Sequence, residues 1–364
     1  MKKVLTVLIA VLLLFSLSVT AFATNSGAYW HEKRAASTDP FYTNWMKNLS
    51  DGQRLSELSI PGTHDTMTFD GVTGNLTLVE DIAFTQSMTL QQQLTSGIRF
   101  IDIRPCYRGD HFSIHHGPVY LKADLEDVLR TVKTFLQKYP SEFIVMRLLQ
   151  EYVDVSESKM NKLFRQYYER YKDIFYQGEN VNDPSVGEMR GKVLLVADRW
   201  KLPKDIPSIY ITKDQNSVKY FAGNDNFYVQ DYSSLKTNWD LYDKWESVKN
   251  LLNKADKGNT GDFYLNYLNS SSGSFPFFVA SGKITHSTWG KQLATGITFI
   301  ASSSKYPDFP REKLIGSLYA INFMGTNQLT ADYIKKNQCS RVGIIAADFP
   351  GEELIRAVID CNFR

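Results

Sequence analysis

The sequence predicts an α/β protein folded as a single (β/α)8 barrel of the TIM type, with distortion or incomplete closure allowed for. Three observations carry this. Short runs rich in Val, Ile and Phe recur along the chain, amphipathic helical stretches fall between them, and polar residues gather just beyond the ends of the runs. The doubly wound open sheet is the competing arrangement. It lacks support, because no glycine-rich dinucleotide turn follows the first run. No internal repeat or low-complexity tract breaks the pattern.

The elements follow in order. Met1-Lys2-Lys3 precedes an apolar stretch from Val4 to Ala23 that ends Ala21-Phe22-Ala23. A charged start, an apolar middle and a small-x-small exit read as a secretory signal peptide over residues 1–23, cleaved near Ala23, so the protein is expected to be secreted. An uncleaved anchor is the bland alternative. Residues 24–364 then form one barrel. Its expected strands are Leu58–Ile60, Phe100–Ile103, Phe112–Ile114, Phe143–Leu148, Val193–Ala197, Phe227–Val229, Phe263–Leu268 and Val342–Ala346. Asp124–Tyr139 has apolar residues at 125, 128, 129, 132, 135 and 136, which is one helix face, and Pro140 stops it. Trp239–Ala255 and Leu329–Asn337 read likewise. Ser281 to Leu318 fits the alternation poorly and is expected to be an excursion between strands seven and eight.

Charge narrows the function classes. The 364-residue chain has a formal net charge of +2, which falls to about zero once Lys2 and Lys3 are removed. There is no basic tail or polybasic block, so neither nucleic-acid binding nor strong attraction to anionic headgroups is indicated. Cys106, Cys339 and Cys361 are an odd set without a Cys-x-x-Cys pair, so neither a disulfide framework nor zinc is expected. Cys106 reads as a small buried apolar residue. Pairing of Cys339 with Cys361 is the minority expectation.

The placement of polar residues carries the chemistry. The first strand runs into His64-Asp65, the second ends Asp102-Ile103-Arg104, and the third ends His115-His116-Gly117. The later strands lead to Glu151, Arg199, Asp231-Tyr232 and Asp348. In a parallel barrel all of these sit at the C-terminal face, where such folds build active sites. Singly, each has a bland reading as a hydrogen-bonded or ion-paired structural residue. Together they point to a site. Two imidazoles can divide base and acid roles near neutral pH. An arginine fork matches phosphate and stabilises charge on its oxygens. The set suits cleavage of a phosphodiester by an internal hydroxyl. A metal hydrolase needs a carboxylate and His cluster, and here Arg104 stands where an acidic ligand could have been. No Gly-x-Ser-x-Gly elbow supports a serine triad.

Pro61-Gly62-Thr63-His64-Asp65, Phe100-Ile101-Asp102-Ile103-Arg104 and His115-His116-Gly117-Pro118-Val119-Tyr120 resemble the catalytic X domain of bacterial phosphatidylinositol-specific phospholipases C. Pro140-Ser141-Glu142, Gly191-Lys192-Val193, Tyr264-Leu265-Asn266-Tyr267 and Arg341-Val342-Gly343 followed by Asp348 continue the likeness in order. The resemblance implies a metal-independent X-type catalytic barrel over 24–364, with no cofactor. It would cleave phosphatidylinositol, or glycosyl-phosphatidylinositol anchors, to diacylglycerol and a cyclic inositol phosphate. His64 is implied as general base oriented by Asp348, and His116 as general acid steered by Asp65. Arg104 is implied on the phosphate, held by Asp102, with Glu151, Arg199, Asp231 and Tyr232 lining the inositol pocket.

There are departures. Leu149 stands where the family usually has a lysine, and the tyrosine after the strand-six acid is offset by one residue. The 281–318 excursion is not expected from the shorter bacterial enzymes. The expected partner is phosphatidylinositol in a membrane surface, met peripherally by a monomer, with Phe275, Phe277 and Phe278 as candidate membrane contacts on a loop after strand seven. A calcium-dependent glycerophosphodiesterase and a non-catalytic lipid-binding relative are the alternatives. Arg104 argues against the first, and the presence of His64, His116 and Arg104 against the second.

Overall fold

The structure, a computed structural model, describes residues 40–69, 82–211, 221–222, 227–284 and 294–364. The expected signal peptide and its cleavage site lie outside the described residues.

In chain order the strands are β1 (Ile60–Thr63), β2 (Phe100–Ile103), β3 (Pro105–Tyr107), β4 (Phe112–His116), β5 (Val119–Asp124), β6 (Ile144–Leu149), β7 (Val193–Asp198), β8 (Ser208–Ile211), β9 (Phe221–Ala222), β10 (Phe227–Gln230), β11 (Ser234–Leu235), β12 (Phe263–Tyr267), β13 (Ser271–Ser272), β14 (Ala294–Thr298), β15 (Arg311–Ile315), β16 (Leu318–Asn322) and β17 (Ile344–Ala347). The main sheet runs β8-β7-β6-β2-β1-β17-β12-β10-β9. All its neighbours are parallel except β9, which lies antiparallel on β10. Eight parallel strands therefore curve into a barrel wall. No pairing joins β8 to β10 among the described residues, so the barrel is open there, as expected for an incompletely closed one.

Parallel strands covered on both faces are apolar throughout. Accordingly β1, β2, β6, β7, β12 and β17 are buried at every residue. The helix Leu125–Lys138 packs residues 125, 128, 129, 132, 135 and 136 inward, as its spacing predicts. Asp124 and Asp127 make a capping box at its start, and Lys138 sits favourably in its last turn. The helices Leu241–Lys257 and Thr326–Asn337 match the other two expected stretches to within a few residues.

Two strand assignments are corrected. Phe112–Ile114 is not a barrel strand. It belongs to β4, the centre of an antiparallel sheet ordered β3-β4-β5 beside the mouth. The missing barrel strand is β8, a short Ser-Ile-Tyr-Ile run preceded by Pro207. The 281–318 stretch does leave the alternation. It contributes to an antiparallel sheet ordered β14-β16-β15, inserted between β12 and β17. All three cysteines are buried and free, so Cys339 and Cys361 do not pair.

Candidate active site

β1 and β17 lie side by side, with Thr63 opposite Ala347, so the next residue of each, His64 and Asp348, emerge together. The His64 amide bonds the Ala347 carbonyl, and the His64 carbonyl accepts from Gln86 Nε2 at 2.7 Å. The ring is thus fixed through its backbone. Its Nδ1 donates to Asp348 Oδ1 at 2.8 Å, which leaves Nε2 as the free acceptor, and Arg104 Nη2 points at that atom from 2.7 Å. Burial, then the Arg104 charge, hold the His64 pKa well below the ordinary histidine value. A neutral imidazole with Nε2 turned to the mouth is the state a general base requires.

Arg104 leaves the end of β2 and meets three carboxylates. Its Nη2 lies 3.3 Å from Asp102 Oδ2, and its Nη1 lies 3.3 Å from Asp65 Oδ2 and 3.7 Å from Glu151 Oε2. Burial would lower the Arg104 pKa, but these acids outweigh it and raise it. Asp102 faces a second guanidinium, Arg147 on β6, at 2.6 Å. Burial alone would raise the Asp102 pKa. Arg147 and Arg104 outweigh it and hold the carboxyl well below the usual range.

His116 arrives from β4 rather than from a barrel strand. Its Nδ1 donates to the Ala83 carbonyl at 2.8 Å, so Nε2 faces Asp65 Oδ2 from 3.7 Å. Asp348, His64, Arg104, Asp65 and His116 therefore form one chain of contacts across the mouth. Several of its polar atoms are buried without a hydrogen bond: both Asp65 oxygens, Arg104 Nε, and nearby Tyr267 Oη and Asn269 Oδ1. Backbone strain collects here too. Asp65, Tyr152, Arg199 and Phe349, which follow β1, β6, β7 and β17, all have φ between 42° and 62°.

Two cavities meet at the histidines. One, of about 320 Å3, is polar and is lined by Arg104, Glu151, Arg199, Asp231 and Tyr267 among others. The other, of about 580 Å3, is lined by Ile82, Phe275, Pro276 and the Ser270–Ser274 turn. His64, His116 and Asn269 line both. Among the described residues no group of three or more His, Cys, Asp or Glu could hold a metal ion.

The family described as phosphatidylinositol-specific phospholipase C, X domain, matches residues 58–199. The 1-phosphatidylinositol phosphodiesterase of Staphylococcus aureus strain Newman is 35% identical over 279 residues, covering 69% of this chain and 83% of that protein. This chain belongs to the phosphatidylinositol-specific phospholipase C family. The 1-phosphatidylinositol phosphodiesterase of Listeria monocytogenes is 34% identical over 283 residues, covering 73% of this chain and 81% of that one. A solved structure of the S. aureus phospholipase C superposes with a TM-score of 0.64 at 28% identity, over 88% of this chain and 97% of that one. For the L. monocytogenes enzyme the TM-score is 0.60 at 26% identity, over 88% and 98%.

Most of the expected site residues of this family member come together, and three do not. Glu151, Arg199 and Asp231 line the polar cavity, as does Leu149, so an apolar side chain stands where a lysine is usual. Tyr232 is a correction. It is 8% exposed and packs in the core with Leu235, Trp245 and Leu268 instead of facing the cavity. The expected phenylalanine loop is a further correction, because Pro276–Ser281 is a short helix. Phe275 remains 45% exposed at the rim, but Phe277 (4%) packs on Phe349 and Phe278 (3%) packs on Phe323.

Sequence reasoning missed Arg147 and Tyr267. Arg147 interrupts the apolar run of β6, and a lone charge in a buried strand was the available signal. Tyr267 ends β12 under Arg147, whose guanidinium lies 5.5 Å from its ring. Lys244 was also missed. It is buried below the mouth, donates to the Tyr267 carbonyl at 2.6 Å, and has its pKa pushed down to about 7 by burial.

Proposed function

We propose that this protein is a phospholipase C that cleaves phosphatidylinositol by internal attack. The inositol 2-hydroxyl gives its proton to His64 Nε2 as its oxygen bonds to phosphorus. The bond from phosphorus to the diacylglycerol oxygen breaks, and that oxygen takes a proton from His116 Nε2. The products are diacylglycerol and an inositol 1,2-cyclic phosphate. The Arg104 guanidinium sits between the two histidines and neutralises charge building on the phosphoryl oxygens. Asp348 orients His64, and Asp65 lies between Arg104 and His116, 3.7 Å from the Nε2 of the acid. Glu151, Arg199 and Asp231 hold inositol hydroxyls.

The observation that carries this reading is the junction of two unlike cavities at His64 and His116. A polar pocket suits a polyol, the wider cleft edged by Ile82 and Phe275 suits the start of a lipid, and the scissile phosphate then falls between the imidazoles. The test is phosphorus NMR of the product from phosphatidylinositol vesicles. A cyclic phosphate resonance preceding any acyclic one is expected, whereas direct formation of the acyclic monophosphate would overturn the internal-attack mechanism.

Secretion is part of the proposal. The charged start, the apolar run and the Ala21-Phe22-Ala23 exit support it. Protein recovered from the medium should begin at Thr24, and retention of the full chain in the membrane fraction would contradict it.

A further inference from the structure

The inserted β14-β16-β15 sheet has an unusual end. β14 and β15 both run antiparallel to β16, with Thr298 opposite Tyr319 and Ile315 opposite Leu318. Their C-terminal ends therefore meet at one tip, beside the start of β16. Five large apolar residues are exposed there: Ile297, Phe299, Ile300, Leu314 and Ile315, with Phe299 at 72%. Contiguous apolar surface of this kind marks a docking site. Neighbours in sequence are exposed together, Phe299 with Ile300 and Leu314 with Ile315 across a bulge, so apolar side chains are exposed on both faces at this end of the sheet.

The base of the sheet is mounted at the mouth. Its chain leaves from the helix Pro276–Ser281, whose first residue, Pro276, lines the wider cavity with Phe275 before it. The outgoing and returning segments touch at Gly282 and Gly325. A Cβ at Gly282 would lie 2.2 Å from the Phe323 carbonyl, and one at Gly325 would lie 2.3 Å from the Ala280 carbonyl. Asp308, just before β15, accepts from Trp245 Nε1 at 2.8 Å and pairs with Lys249, in the first half and at the middle of the helix Leu241–Lys257, which follows β10. The sheet is thus packed onto the barrel at several points, one of them next to the wider cavity.

We propose that this tip inserts into the lipid surface and holds the mouth against it. The inference rests on the reading of the substrate as a membrane phospholipid. Three features favour a bilayer over a protein partner. A flat partner covers a face, whereas a lipid layer accommodates an end. Residues 297–306 and 313–319 contain no Asp or Glu, and Lys313 lies opposite Tyr319 near the tip, which suits an interface of headgroups. And with net charge near zero, apolar contact must supply the attachment.

The test places an environment-sensitive nitrobenzoxadiazole label on Ser317→Cys, at the exposed turn of the tip. The native cysteines are all buried. Phosphatidylcholine vesicles without phosphatidylinositol are the probe, so the active site contributes no binding. The label should brighten and shift to the blue on vesicle addition. The double variant Phe299→Ser/Ile315→Ser should partition about tenfold more weakly or worse, since each side chain no longer leaves water. Its melting temperature and its cleavage of a soluble inositol phosphodiester should not change. A label that does not respond while the protein binds vesicles overturns the inference, as does unchanged partition of the double variant. A dimer in solution that the double variant abolishes overturns it in favour of a second copy. If the tip enters vesicles but no cyclic phosphate forms, the functional reading fails and the tip stands.

Discussion

At the bottom of the barrel, Arg99 and Glu142 form a fully buried ion pair at 2.6 Å, and at the mouth Arg104 meets Asp65, Asp102 and Glu151. The bottom pair is complete. Every guanidinium nitrogen of Arg99 has a partner, shared among Glu142 and the carbonyls of Thr43, Leu94 and Ile98. The mouth cluster is incomplete, with both Asp65 oxygens and Arg104 Nε buried and without hydrogen bonds. A buried ion pair whose hydrogen bonds are not all made is costly, and such incomplete pairing collects at functional sites. The same residue types thus hold the fold at one end and, on the proposed function, meet substrate at the other, as expected for the two faces of such a barrel.

Substitution at each end should separate the two roles. His64→Ala and His116→Ala should each lower kcat by about a hundred- to ten-thousand-fold with the melting temperature kept, the usual loss for a general acid or base. Glu142→Gln should do the opposite. It leaves Arg99 buried and unpaired, so stability in urea should fall by about 3–5 kcal/mol while kcat per folded molecule is unchanged. If either histidine variant keeps near wild-type turnover, the contrast collapses.

Arg104→Asp is expected to cost about 2.7–4 kcal/mol of transition-state stabilisation, the worth of one strong electrostatic donor. Wild-type activity should be indifferent to excess chelator, and calcium should restore part of the variant's activity. Inhibition of the wild type by chelator would place the enzyme with the metal-dependent phosphodiesterases.

The pH profile sharpens the comparison further. As the proposed base, His64 acts only when neutral, and burial with Arg104 depresses its pKa. The acid limb of kcat/KM should therefore lie below the ordinary histidine value of about 6.5. In Arg104→Met it should move to higher pH, because the repelling guanidinium is gone. An acid limb that stays put in the variant would mean that Arg104 does not tune the base.

The smallest effect is at the rim. Phe275→Ser should slow hydrolysis of vesicle substrate several-fold and spare soluble substrate and the melting temperature. Phe277→Ser should lower the melting temperature and reduce both activities alike, since its ring packs on Phe349. Equal behaviour of the two variants would erase the distinction between rim and core.

Much of the site was legible because the barrel strands are mostly apolar. Asp102 and Arg147 are charged within β2 and β6, but His64, Asp65, Arg104, Glu151, Asp231 and Asp348 all fall beyond strand ends, where a polar residue after an apolar run is conspicuous. Where the logic failed, tertiary packing decided. The β4 hairpin has the same Phe and Ile content as a barrel strand, and nothing local says that its neighbours run antiparallel. β8 is four residues long and hidden behind Pro207. Phe277 and Phe278 sit among Gly and Ser, which reads as loop, yet the Pro276 helix turns them inward. Tyr232 follows a mouth acid but finds its space in the core beside Trp245.

The division of labour between the histidines can be tested on a single substrate pair. Natural phosphatidylinositol has a poor alkoxide leaving group that needs a proton, whereas an inositol phosphodiester of p-nitrophenol has one that leaves without it. Measuring kcat of His116→Ala on both, beside His64→Ala, separates acid from base. The account predicts that the nitrophenyl substrate restores His116→Ala to within about tenfold of wild type, since the general-acid contribution is then dispensable, and leaves His64→Ala inactive. Equal impairment of both variants on both substrates would contradict it.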